Sequence, residues 1–106
     1  MIAMEQRVRI DIPHGELQDF CRRHHIRKLS FFGSVLRDDF GPESDVDVLV
    51  EFEAEHVPGL LGFAGMEIEL SELLGGQKVD LNTPAFLSRY FRDEVIEQAE
   101  VQYSLE

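Results

Sequence analysis

Eight residues in the middle of the chain, Asp45 to Phe52 (DVDVLVEF), restrict the fold more than any other stretch. The segment is dense in Val, which reads as a β-strand. Alternation sends Val46, Val48 and Val50 to one face and Asp45, Asp47 and Leu49 to the other. A strand with a continuous valine face has to lie in a sheet whose valine side is covered. The opposite side then presents two carboxylates only one residue apart.

The flanking sequence supplies the cover. After Pro13, the residues Leu17, Phe20, Cys21 and His24 recur at helical spacing and predict an amphipathic helix from about His14 to His25. Residues 27–32 (RKLSFF) read as a strand running into Gly33-Ser34, followed by a short helical turn from Val35 to Asp38 and a polar loop, DFGPES. Leu60 to Leu74 carries apolar residues at 60, 63, 66, 70, 73 and 74, with Glu67, Glu69 and Glu72 opposite, and Gly75-Gly76 stops it. Residues 77–82 (QKVDLN) predict a third strand. Thr83-Pro84 caps a final helix with a buried edge at Leu87, Phe91, Val95 and Ala99, and the alternation of Val101, Tyr103 and Leu105 adds a terminal strand. Residues 7–12 (RVRIDI) read as an edge strand or an extended arm. The expected fold class is therefore α/β (α+β), a small mixed sheet packed by helices on one side. Residues 1–106 form a single domain, with 1–13 as an N-terminal arm or edge strand.

Charge narrows the function. The chain holds 10 Lys+Arg against 21 Asp+Glu, a formal net of -11, which opposes free-standing binding to a nucleic-acid backbone. Residues 1–28 have six basic and four acidic side chains, net +2, whereas 29–106 have four and seventeen, net -13. A basic partner would be drawn to the second part. Cys21 is the single cysteine, so no intramolecular disulfide forms, and it reads as a small core residue. No apolar run approaches the roughly 18 residues a membrane span needs, and the N-terminus has no signal-peptide block. A cytoplasmic protein without membrane or direct nucleic-acid contacts is expected.

The chemistry concentrates between Phe32 and Val50. Gly33 and Ser34 sit at a strand end, ten residues precede Asp45, and Asp47 follows at i+2. Two carboxylates held on one face repel unless one is protonated or a cation lies between them. An oxygen-only set of this kind suits Mg²⁺, which takes one or two carboxylates plus substrate phosphates. A glycine at the strand end lets backbone approach a phosphate, the N–H groups of the following turn face its oxygens, and Ser34 adds a hydroxyl. Arg37 lies one turn on, within reach of the same phosphates. Asp80, between apolar Val79 and Leu81 in a strand that would pair beside Asp45–Phe52, completes a three-carboxylate cluster able to bind a second cation and take a proton from an attacking hydroxyl.

This joint pattern, Gly-Ser, ten residues, Asp-x-Asp, a Val/Leu strand and a later Asp between apolar residues, resembles the DNA polymerase β-like nucleotidyltransferase superfamily. Within it the chain is similar to the minimal nucleotidyltransferases, above all the MNT antitoxins paired with HEPN-domain toxins, over about residues 15–103. The resemblance implies a polymerase β palm-like fold. It implies that Gly33 and Ser34 grip the triphosphate, that Asp45 and Asp47 bind two Mg²⁺ ions, and that Asp80 joins the metal site and assists the acceptor hydroxyl. Arg37 and Ser44 fall where such proteins make nucleotide contacts. Leu36-Arg37-Asp38 departs from the A-R-G pattern of many relatives. The implied activity is Mg²⁺-dependent transfer of AMP from ATP to a tyrosine of a HEPN RNase toxin, which neutralises it. Two alternatives stand beside it: a weak or inactive antitoxin that docks stoichiometrically through its acidic surface, and a small-molecule nucleotidyltransferase.

Other charged features carry structural expectations. His24-His25 sits at a helix end, where the dipole favours it. Arg22, Arg23, Arg27 and Lys28 form a solvated basic face, Glu67, Glu69 and Glu72 the wet side of their helix, and Phe63 and Met66 belong to the core.

Overall fold

A computed structural model describes residues 10, 12–36, 41, 43–87, 89–90 and 92–105. Its elements, in chain order, are helix α1 (His14–Arg23), strand β1 (Ile26–Phe32), a 3₁₀ turn (Gly33–Leu36), strand β2 (Val46–Phe52), helix α2 (Leu60–Leu73), strand β3 (Val79–Asn82), a 3₁₀ turn (Pro84–Phe86), helix α3 (Arg92–Gln98) and strand β4 (Glu100–Ser104). The four strands form one mixed sheet in the order β3-β2-β1-β4. β1 pairs antiparallel with β2 and β4, while β2 and β3 run parallel, joined through α2.

Burial follows the alternation in β2. Val46, Val48 and Val50 are fully buried with Leu29 and Phe31 of β1, Val79 and Leu81 of β3 and Tyr103 of β4. From α1, Leu17, Phe20 and Cys21 enter the same cluster, at the i, i+3, i+4 spacing that puts them on one stripe. α2 contributes Met66 and Leu70, with Leu74 just beyond its end. Burial pushes the Cys21 thiol up to about 12, in keeping with a core residue. Ile10 and Ile12 pack against this cluster; the remainder of the expected 7–12 strand or arm lies outside the described residues. Among the described residues no helix is long and apolar enough to cross a membrane.

The structure corrects several expectations. α1 ends at Arg23 rather than His25, because the chain turns into β1 through His25 in the left-handed region at φ 56°. The 3₁₀ turn after β1 starts at Gly33, not Val35. The apolar stripe of α2 is buried only from Met66 onward: Leu60 and Leu61 are 82% and 89% exposed, and Phe63 and Leu73 are half-buried. The final helix does not begin at Thr83-Pro84. Pro84 starts only a 3₁₀ turn, Leu87 leaves it in extended conformation at φ -80°, ψ 145°, and α3 begins at Arg92 with no buried residue.

The acidic side of α2 is more than a wet surface. Glu67 Oε2 accepts the Leu81 N–H at 2.8 Å, occupying a donor that the outer edge of β3 would leave to water. Glu69 takes a guanidinium N–H from Arg23 at 2.5 Å and hydrogen-bonds His24 Nε2 at 2.9 Å, tying α1 to α2. The Arg23 bond leads in holding the Glu69 carboxyl below its usual range. The basic face is likewise partly paired, with Arg27 bonding Glu51 at 2.8 Å. His25 stacks on His56, ring centroids 3.8 Å apart.

Candidate functional site

The site assembles where β1 stops and β2 and β3 begin. Gly33 leaves β1 at φ +76°, a conformation that L side chains rarely adopt. An ideal Cβ at this position would overlap an Asp47 carboxylate oxygen and lie 3.2 Å from its Cγ. Glycine is thus what allows the Asp47 carboxylate to rest against the turn. One residue on, Ser34 Oγ donates to the Asp45 carbonyl at 3.2 Å, and Val35, fully buried, anchors the turn in the core. The Gly-Ser turn is bonded to the Asp45 backbone and leaves room for the Asp47 carboxylate.

Register brings in the third acid. Asp47 is the Cα partner of Phe32 in β1 and of Asp80 in β3, so it occupies the middle of three side-by-side positions. In-register neighbours share a sheet face, and adjacent strands lie about 4.8 Å apart. Val79 and Leu81 are buried on the helical side while Asp80 is exposed, which puts Asp80 on the face of Asp47. Asp45 is exposed just before β2, and Asp47 is half-buried.

Gly33, Ser34, Asp45, Asp47 and Asp80 are therefore brought together. Ser44 immediately precedes Asp45, but its Oγ accepts the Gly41 N–H at 3.1 Å and its own N–H donates to the Gly41 carbonyl at 3.0 Å. It closes a turn in the loop, with its hydroxyl proton left for another acceptor. Arg37 lies outside the described residues. Lys78, two residues before Asp80, reaches this end of the sheet although the motif spacing does not single it out: its carbonyl accepts the Val46 N–H at 2.7 Å. The signal was available in the alternation of KVD.

The donors offered here are all oxygens, the chemistry that Mg²⁺ prefers, and the space opened by the missing Cβ at Gly33 keeps a carboxylate close to backbone. Among the described residues no group of three or more His, Cys, Asp or Glu side chains is arranged to hold a metal alone. A cation held by one or two carboxylates and completed by phosphate oxygens and water needs no such cage.

Comparison with known proteins decides what this arrangement belongs to. The nucleotidyltransferase domain family matches residues 16–102, which include the whole constellation. The chain belongs to the nucleotidyltransferase domain family. It is a transferase of the type that moves nucleotidyl groups. The protein adenylyltransferase MntA of Thermococcus cleftensis is 37% identical to it over 81 residues, spanning 76% of this chain and 77% of that protein. Among solved structures, a toxin-antitoxin with AMP-PNP superposes with a TM-score of 0.70 at 16% identity, covering 90% of this chain and 76% of the other. A tri-AMPylated Shewanella oneidensis HEPN toxin in complex with MNT antitoxin gives 0.61 at 17% identity, with 86% and 69% covered. At such identities the likeness is one of fold. A mixed sheet with helices is thus the nucleotidyltransferase architecture that the motif implied.

Proposed function

We propose that the chain transfers AMP from ATP to a tyrosine hydroxyl of a HEPN-type toxin and acts as its antitoxin, in the cytoplasm and with Mg²⁺. The observation that carries this reading is the register of Asp47 against Asp80 beside a Gly33-Ser34 turn that is bonded to the Asp45 backbone and leaves room for the Asp47 carboxylate. The 37% identity to an MntA adenylyltransferase supports the reaction, and the toxin-antitoxin complexes among its fold relatives support the partner.

In this reaction the acceptor oxygen attacks the α-phosphorus of ATP, the bond to the β-phosphate oxygen breaks, and pyrophosphate leaves. Gly33 and Ser34 hold the phosphate chain through backbone N–H groups and, on release from the Asp45 carbonyl, the Ser34 hydroxyl. Asp45, Asp47 and Asp80 would hold Mg²⁺, which when bound stabilises charge on the attacking and leaving oxygens. Asp80, exposed at the edge strand, takes the proton from the acceptor. Its position on the outermost strand leaves it open to a partner's side chain.

Purified chain with α-labelled ATP, Mg²⁺ and its cognate toxin should label the toxin. Label should vanish with Asp45→Ala/Asp47→Ala and with the toxin tyrosine changed to Phe. Absence of labelling, together with full neutralisation by the Asp45→Ala/Asp47→Ala variant, would sink the enzymatic reading. That outcome would favour stoichiometric docking, whose supporting observation is the net -13 of residues 29–106.

A further inference from the structure

The ladder that aligns the acids carries a cation to them as well. β2 and β3 pair as Val46 with Val79 and Asp47 with Asp80. The Val46 N–H bond to the Lys78 carbonyl, at 2.7 Å, belongs to the Val46–Val79 step of this parallel ladder, and the same register carried one residue back sets Lys78 beside Asp45. Lys78 is also two residues from Asp80. Strand alternation gives both the same side, and Val79 between them is buried in the core. Glu67 is already committed to the Leu81 N–H, and Lys78 itself is exposed.

The charge at this end of the sheet calls for such a residue. Two divalent cations leave three carboxylates and a triphosphate still net negative. Residues 29–106 contain only four basic side chains, Arg37, Lys78, Arg89 and Arg92, and of the three that are described Lys78 is the one adjoining the strand pair that bears the acids. An ammonium on a flexible four-carbon stem is a compact charge suited to phosphate oxygens whose position is fixed by other groups.

We infer that Lys78 is a substrate-binding residue whose ammonium contacts the phosphate chain of the nucleotide held at Asp45, Asp47 and Asp80. The inference rests on the reading of the chain as an AMP-transferring enzyme. Loss of a charged hydrogen bond to phosphate corresponds to an affinity loss of roughly 10- to 100-fold.

The test compares wild type, Lys78→Gln and Lys78→Arg by calorimetric titration with a non-hydrolysable ATP analogue and Mg²⁺, and by KM and kcat for toxin labelling. Lys78→Gln should raise the analogue's Kd and the KM for ATP at least about 10-fold, with a smaller change in kcat and an unaltered melting temperature. Lys78→Arg should recover most of the affinity. An unchanged Kd and KM in Lys78→Gln, beside an active wild type, overturns this role alone. Equal impairment of both variants with a fall in melting temperature assigns Lys78 to structure and also overturns it. A wild type that neither binds the analogue nor labels toxin overturns the enzymatic reading, and Lys78's role with it.

Discussion

The Asp47 carboxylate occupies the space that a Cβ on residue 33 would fill. One glycine therefore meets two demands: a left-handed turn out of β1 at φ +76°, and room for an acid that sits between β1 and β3. Gly33→Ala should fail on both. The backbone cost and the displaced carboxylate together should lower stability by about 1–3 kcal/mol. AMP transfer should fall at least about 100-fold, since a misplacement of about 1 Å at a reacting centre has that effect. Urea denaturation and toxin labelling measure the two separately. Wild-type labelling by a folded Gly33→Ala protein would show that the turn does not set the position of Asp47.

Asp80 differs from Asp47 in being exposed and on an edge strand. Asp80→Asn should keep the fold, with a stability change within about 0.5 kcal/mol. If Asp80 takes the acceptor's proton, kcat should drop by about 10²- to 10⁴-fold, a loss beyond the weaker binding of an ATP analogue with Mg²⁺ that follows from its place in the metal site. A variant that loses nucleotide affinity and retains kcat would leave Asp80 its metal-binding role and remove it from proton transfer.

Glu67 secures the strand that presents Asp80. Its carboxylate is the acceptor for the Leu81 N–H, at 2.8 Å in a half-buried setting. Glu67→Ala leaves that donor to water and should destabilise the protein by about 0.5–1.5 kcal/mol, whereas Glu67→Gln, which keeps an acceptor, should lose less. Amide hydrogen exchange at Leu81 gives a local readout and should quicken in Glu67→Ala. Unchanged exchange there would mean that the bond contributes nothing to closing the edge.

These three residues show what the sequence could and could not disclose. The acid constellation was legible because strand alternation and the Gly-Ser spacing are local patterns, and one parallel pairing was enough to join Asp80 to them. The roles of Glu67 and Glu69 were not legible. A carboxylate on the polar side of α2 has the same periodicity whether it meets water, the Leu81 amide or Arg23, and only the crossing of α2 over β3 and α1 decides. The final helix was misplaced for a related reason. Leu87, Val95 and Ala99 keep helical spacing, yet Leu87 is buried from an extended segment after the 3₁₀ turn and not from a helix face. The alternation KVD sets Lys78 on the side of Asp80, but only the pairing of β3 beside β2 gives it the acids as neighbours.

Glu69 predicts the acid behaviour of the fold. Its carboxyl lies below the ordinary 4.5, first through the Arg23 hydrogen bond, against burial as the next largest effect, and then through His24. A group whose folded pKa is depressed contributes stability above its unfolded pKa and loses it as pH falls through the folded value. The contribution should thus be complete above about pH 4.5 and vanish progressively at lower pH. Because the Glu69 side chain is 35% exposed, solvent and salt moderate the effect. Glu69→Gln should flatten the stability profile below pH 4.5 relative to wild type, and the two profiles should converge in high salt. Stability curves from urea titrations at several pH values check this. Parallel wild-type and variant profiles through that window would mean that the α1–α2 ion pair does not couple folding to the protonation of Glu69.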